Sequence, residues 1–132
     1  MWRPLMARGG LAVISELSWF TEHRPAPAVK FWQAFYPAMG DEEQNIDRAA
    51  RTGFRAVLTE RLPADAWWRN YYGPLRERIR QMDATPANRR VLRETTQEIG
   101  LFERYSRHYG YTYYVLAAVD GAMTTENCVS PA

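Results

Sequence analysis

The sequence predicts an α/β domain, a sheet flanked by helices, on three observations. Gly9-Gly10 leads directly into the apolar run Leu11-Ala12-Val13-Ile14, which reads as a turn entering a buried strand. A capped helical segment and a second strand-like segment from Phe54 follow it, and strand, helix, strand suggests a right-handed crossover unit. After a long helical pattern the aromatic and β-branched run Tyr111 to Val119 reads as a final buried strand. At 132 residues, 46% of them hydrophobic, the chain is long and apolar enough for one domain with its own core.

The first strand spans Leu11 to Leu17, and its unbroken apolar stretch before Glu16 predicts cover on both faces. Pro25 and Pro27 open a helix from about Ala28 to Tyr36, because proline is tolerated in a first turn, and Pro37 ends it. Phe31, Trp32, Phe35 and Tyr36 recur at helical spacing as one aromatic face. Asp41 is the N-cap candidate of a helix to about Thr52, with Glu42 and Glu43 favouring its dipole. Gly53 supplies the turn into the next strand, where Phe54, Ala56 and Leu58 form the apolar face.

Pro63-Ala64-Asp65 opens a helical segment through Trp67, Trp68, Tyr71 and Tyr72, interrupted at Gly73-Pro74 before Leu75 to Met82. Asp83-Ala84-Thr85-Pro86 is a loop, and a long helix runs from about Ala87 to Tyr109. Beyond Asp120-Gly121 the tail is polar.

Seventeen basic and 15 acidic residues give a formal charge of +2, and their scatter forms no basic stripe, so no nucleic-acid partner is expected. The lone Cys128 has no partner for an intrachain disulfide, which predicts a reducing, cytoplasmic setting. No apolar run approaches the ~20 residues that span a bilayer, so no membrane partner is expected. His23, His108 and Cys128 have no zinc-ligand spacing, and no metal site is predicted. His23 lies in a loop and His108 at a helix C-terminus, where a structural rather than a catalytic role is expected.

Gly9-Gly10 with Ser15-Glu16-Leu17-Ser18-Trp19, Asn45 to Phe54, Trp67-Trp68-Arg69-Asn70-Tyr71-Tyr72-Gly73-Pro74-Leu75, and Tyr105 to Tyr114 follow one another in order. Together they resemble the carboxyl-terminal half of a class I S-adenosylmethionine-dependent methyltransferase, in a bacterial subgroup with a Trp-Trp-x-x-Tyr-Tyr-x-Pro-Leu insertion before the last strand. The resemblance implies a partial Rossmann-like sheet of three strands in the order 1-3-2, the last antiparallel, with flanking helices. It also implies a half-domain over residues 1–119, a helical lid over 63–109 and a tail over 120–132. S-adenosylmethionine is the cofactor implied. The family's Gly-x-Gly loop and ribose-binding acid have no counterpart here, since no Gly-x-Gly occurs in the sequence. The expectation is therefore methyl transfer to a small-molecule acceptor, with the cofactor-binding half supplied by another chain or a longer gene product. A non-catalytic dimeric module binding a small molecule or protein, or a truncated gene product, is the alternative.

Open α/β sheets bind ligands at carboxyl strand ends, which selects Glu16, Ser18 and Trp19 as substrate-binding candidates. By the resemblance, the lid adds Trp67, Trp68, Tyr71 and Tyr72. Glu16 also fits a solvated strand end, and the two aromatic pairs spaced i, i+4 also fit core packing. No catalytic residue is singled out. Without a neighbour, the first strand's edge exposes unpaired backbone, and a homodimer through Leu11 to Leu17 is expected.

Overall fold

The structure is a computed structural model that describes residues 6–119. The segment before Met6, the polar tail and Cys128 lie outside the described residues. Its core is a mixed four-stranded sheet in the order β2-β1-β4-β3. Strand β1 is Leu11–Trp19, β2 is Gly40–Asp41, β3 is Phe54–Arg61 and β4 is Tyr109–Ala118. β4 pairs antiparallel with β1 along nine residue positions from Leu11↔Ala117 to Trp19↔Tyr109, and antiparallel with β3. The three long strands thus lie first, third, second, with the last reversed between the other two. The two-residue β2, which the sequence reading did not contain, adds a fourth strand by pairing parallel with Ser18 and Trp19.

Alternation along β1 sends its residues to two unequal cores. Ala12 packs with Phe54, Tyr114 and Leu116, and this face is covered by helix α2 (Glu42–Arg51) through Ile46 and Ala49. Leu17 and Trp19 join Tyr109 on the other face, beneath α1 (Ala26–Phe35) and α5 (Arg89–Tyr105). Ile99 and Phe102 carry the α5 stripe into this larger core, and each such burial stabilises by about 1.5–3 kcal/mol. Cover on both faces was expected along the whole of β1, but it holds only for its carboxyl half. Leu11 and Val13 are 62% and 65% exposed, because the helices of the larger core converge on the opposite end of the sheet.

Local chemistry explains the element ends. Asp41 caps α2 by accepting from the Gln44 N–H at 2.7 Å, while the Gln44 side chain accepts from the Asp41 N–H at 2.9 Å. Gly53 takes φ +91°, which favours glycine at the turn into β3. A bulge between Ala56 and Leu58 resets the pleat, so Leu58, expected on the apolar face, is exposed. Thr85 and Asn88 bond each other's backbone N–H at 3.2 and 2.7 Å before α5. That helix stops at Tyr105 rather than at Tyr109, and Tyr109 already belongs to β4.

The expected interruption at Gly73-Pro74 is instead a change of helical winding. Helix α3 (Ala64–Trp67) passes into a π-helical turn, Trp68–Tyr72, and then into α4 (Gly73–Gln81). The Gly73 N–H bonds back five residues to the Trp68 carbonyl. The wider turn accommodates Pro74, which has no N–H to continue a regular ladder.

Candidate functional site

Glu16, near the carboxyl end of β1, sits where two cavities meet. Tyr36, the residue after α1, donates its hydroxyl proton to Glu16 Oε1. This bond, together with burial and the nearby negative charge of Glu16, pushes the Tyr36 phenol up to about 12. The phenol therefore stays protonated, and the carboxylate is held on it as an acceptor at both cavity mouths.

The first cavity, about 350 Å³, lies on the α2 side between Ile14, Glu16, Tyr36, Asn45, Arg48 and Tyr114. Beside it, Ser18 Oγ and Tyr114 OH lie 2.8 Å apart, and Asn45 Nδ2 donates to both at 3.0 Å. Ser18 and Tyr114 are buried, and this triad fastens α2 to the sheet. Arg48 donates to the Ala38 carbonyl at 2.7 Å, which places a cation at this side.

The second cavity, about 370 Å³, lies on the other face between β1, α1, the π turn and α5. Glu16, Trp67, Tyr71 and Tyr72, four of the predicted candidates, line it together with Trp32, Tyr36, Glu98 and Tyr111. Trp67 stacks on Tyr111 with ring centres 4.3 Å apart and contacts Tyr71 at 5.0 Å. Tyr72 is buried and donates its hydroxyl proton to Glu98 Oε2 at 2.9 Å. Burial pushes the Glu98 carboxyl up, against the Tyr72 bond that lowers it. The Tyr72 and Tyr111 phenols are also pushed up, first by burial and then by the Glu98 charge.

The other candidates stand apart from this lining. Ser18 belongs to the triad under α2. Trp19 is a core residue against Tyr109, and the Arg24 guanidinium lies 5.4 Å from its ring centre. Trp68 packs on Phe102 and Tyr72 with the Arg76 guanidinium above it. Both pair members of Trp67-Trp68 were candidates, and adjacent helical positions face different ways, so only Trp67 reaches the cavity. His108 bonds Thr21 Oγ1 through Nδ1 at 2.8 Å, on the surface and away from both cavities.

Sequence reasoning missed Tyr36, Glu98 and Tyr111 as lining residues. Glu98 did carry a signal: it stands four residues before Phe102, an acid on the apolar stripe of an amphipathic helix. Among the described residues no group of His, Cys, Asp and Glu is arranged to hold a metal, and no helix is long and apolar enough to cross a membrane.

Neither cavity is lined by a glycine, so neither fits the nucleoside part of an S-adenosylmethionine site. A phosphate- or adenosyl-type cradle needs glycine backbone open to a ligand. Here the space beside Gly40 is filled by Gln44 and Arg48, that beside Gly110 by Phe20, and that beside Gly73 by the Trp68 carbonyl; Gly9 and Gly100 have open space beside them, but neither lines either cavity. No step is assigned to the cofactor in this chain.

No family model and no curated protein matches the sequence. Solved structures do match in fold. YjhP from E. coli matches with a TM-score of 0.55 at 19% identity, over 86% of this chain and 51% of that one. A SAM-dependent methyltransferase from Geobacter sulfurreducens in complex with S-adenosyl-L-homocysteine matches with a TM-score of 0.57 at 18% identity, over 86% and 47%. The corresponding complex from Thiobacillus denitrificans gives 0.58 at 16%, over 86% and 48%. The chain spans about half the length of these structures and shares the fold of SAM-dependent methyltransferases over that span.

Proposed function

We propose that this chain forms the acceptor side of a SAM-dependent methyltransferase-like domain of the bacterial subgroup with the Trp-Trp-x-x-Tyr-Tyr-x-Pro-Leu insertion, and binds a small-molecule acceptor. The observation that carries the reading is the reversed β4 between β1 and β3, matched over 86% of the chain by two methyltransferases in complex with S-adenosyl-L-homocysteine. On this reading the helical segment from α3 to α5 is the lid, and the cavity beneath it holds the acceptor against the carboxyl end of β1, where α/β sheets bind ligands. Positioning and water exclusion are what such a lid supplies to methyl transfer. The cofactor half would come from elsewhere, since no glycine lines either cavity.

A homodimer through β1 is part of the proposal. β2 pairs with β1 only at Ser18 and Trp19, which leaves the Leu11 to Leu17 edge without a strand partner among the described residues. The second reading, a non-catalytic binding module, draws on the same cavity and differs in the cofactor. Calorimetric titration with S-adenosylmethionine and S-adenosyl-L-homocysteine tests whether this chain binds the cofactor by itself. Micromolar binding by this chain alone supports an autonomous enzyme. No heat from a folded chain supports a split enzyme or a module, and refutes autonomous cofactor binding.

A further inference from the structure

The cavity under the π turn has an unusual charge for this protein. The chain carries 17 Lys and Arg, yet the lining of this cavity holds two carboxylates, Glu16 and Glu98, and no basic side chain. The rest of the wall is mainly aromatic: Trp32, Trp67, Tyr71 and Tyr111 are among its rings. Aromatic surface and carboxylates both favour a cation, the rings through their electron-rich faces and the acids through charge. The phenols report the same field, since Glu98 and Glu16 both act to raise Tyr111. The cavity on the opposite face carries Arg48 and lacks this arrangement. Anions are disfavoured here, and a neutral apolar ligand would leave the Glu98 carboxylate half-buried against one phenol.

We infer that the cavity bounded by Glu16, Glu98, Trp67, Tyr71 and Tyr111 selects an organic ammonium ion, the cationic group entering between the rings and the two carboxylates. Its volume of about 370 Å³ suits a small molecule with an alkylammonium group and a short apolar body. The identification of that molecule as the methyl acceptor rests on the proposed function, whereas cation selection rests on the cavity alone.

The test compares choline with its uncharged carbon isostere 3,3-dimethyl-1-butanol, using NMR titration of the tryptophan indole N–H signals of the full chain. Choline is expected to shift the Trp67 signal and to bind about five- to thirty-fold more tightly than the isostere. Glu98→Gln should abolish most of that preference while the chain stays folded, and Tyr71→Leu, at a half-exposed ring, should weaken choline binding without unfolding. Equal binding of the two probes, or no shift of Trp67 with choline, overturns the inference. Competition between S-adenosylmethionine and choline would assign the cavity to the cofactor's sulfonium and overturn its role as acceptor site. If choline fails but S-adenosyl-L-homocysteine binds, cation selection falls and the methyltransferase reading stands with the cofactor bound by this chain itself. If choline binds and neither cofactor form does, cation selection holds and the cofactor half is left to another source, as proposed.

Discussion

Replacing Tyr72 by Phe removes one hydroxyl and leaves the ring, which isolates the bond to Glu98 Oε2 at 2.9 Å. A hydrogen bond to a charged acceptor contributes about 1.5–3 kcal/mol, and the half-buried Glu98 places this one near the lower end, about 1.5–2 kcal/mol. When Glu98 is protonated the bond is between neutral groups, at about 1 kcal/mol or less. The cost of Tyr72→Phe is therefore expected to grow by about 1 kcal/mol from acidic to neutral pH. For a chain of this size the neutral-pH loss corresponds to a melting temperature lower by about 5–12 °C. The sign for Glu98 follows from its raised folded-state carboxyl. Protonation favours the folded state, so stability is full below the ordinary carboxylate range and falls as pH rises through the higher folded value. Glu98→Gln removes that fall and should hold stability level or raise it at neutral pH, while cation binding is lost. Urea denaturation of the wild type, both single variants and the double variant at pH 4 and 7.5 gives the coupling directly. A Tyr72→Phe cost that is the same at both pH values, or a coupling near zero, would refute the reasoning.

Two further outcomes follow from the fold. A Cβ at Gly73 would lie 2.6 Å from the Trp68 carbonyl oxygen, closer than backbone contacts allow, so Gly73→Ala should destabilise by about 2 kcal/mol or more in urea denaturation, despite alanine's better helix propensity. Light scattering at micromolar concentration should give the mass of a dimer, twice 15.4 kDa, because the β1 edge has a partner strand only at Ser18 and Trp19 among the described residues; a monomer sinks that expectation.

Much of this architecture was legible in local chemistry. Asp41 and Gln44 stand at the spacing of a capping box, Gly53 ends α2, and Pro25 to Pro27 open α1, so the starts of these two helices are written within a few residues. The order and direction of the three long strands came from the likeness of ordered segments to a known family, not from periodicity. What local pattern did not contain was long-range. Leu58 lost its face to a bulge that only pairing with Val115 reveals. Tyr36 and Glu16 are 20 residues apart, and Tyr72 and Glu98 are 26 apart; both contacts exist only because α1, the π turn and α5 converge on one end of the sheet.

The sequence by itself determined the α/β class, the Asp41 cap of α2 and the aromatic content of the lid segment, because these depend on neighbours within one or two turns. Tertiary structure decided which aromatic residues face a cavity: Trp67 and Tyr71 line it, whereas the adjacent Trp68 is turned against Phe102 and Arg76. The physical reason is that consecutive helical residues point about 100° apart, and only the packing of this segment against β4 and α5 decides which of the two faces the cavity. It also decided the charge of that cavity, since Glu16 and Glu98 are brought to one wall by strands and helices more than 80 positions apart in the chain's course.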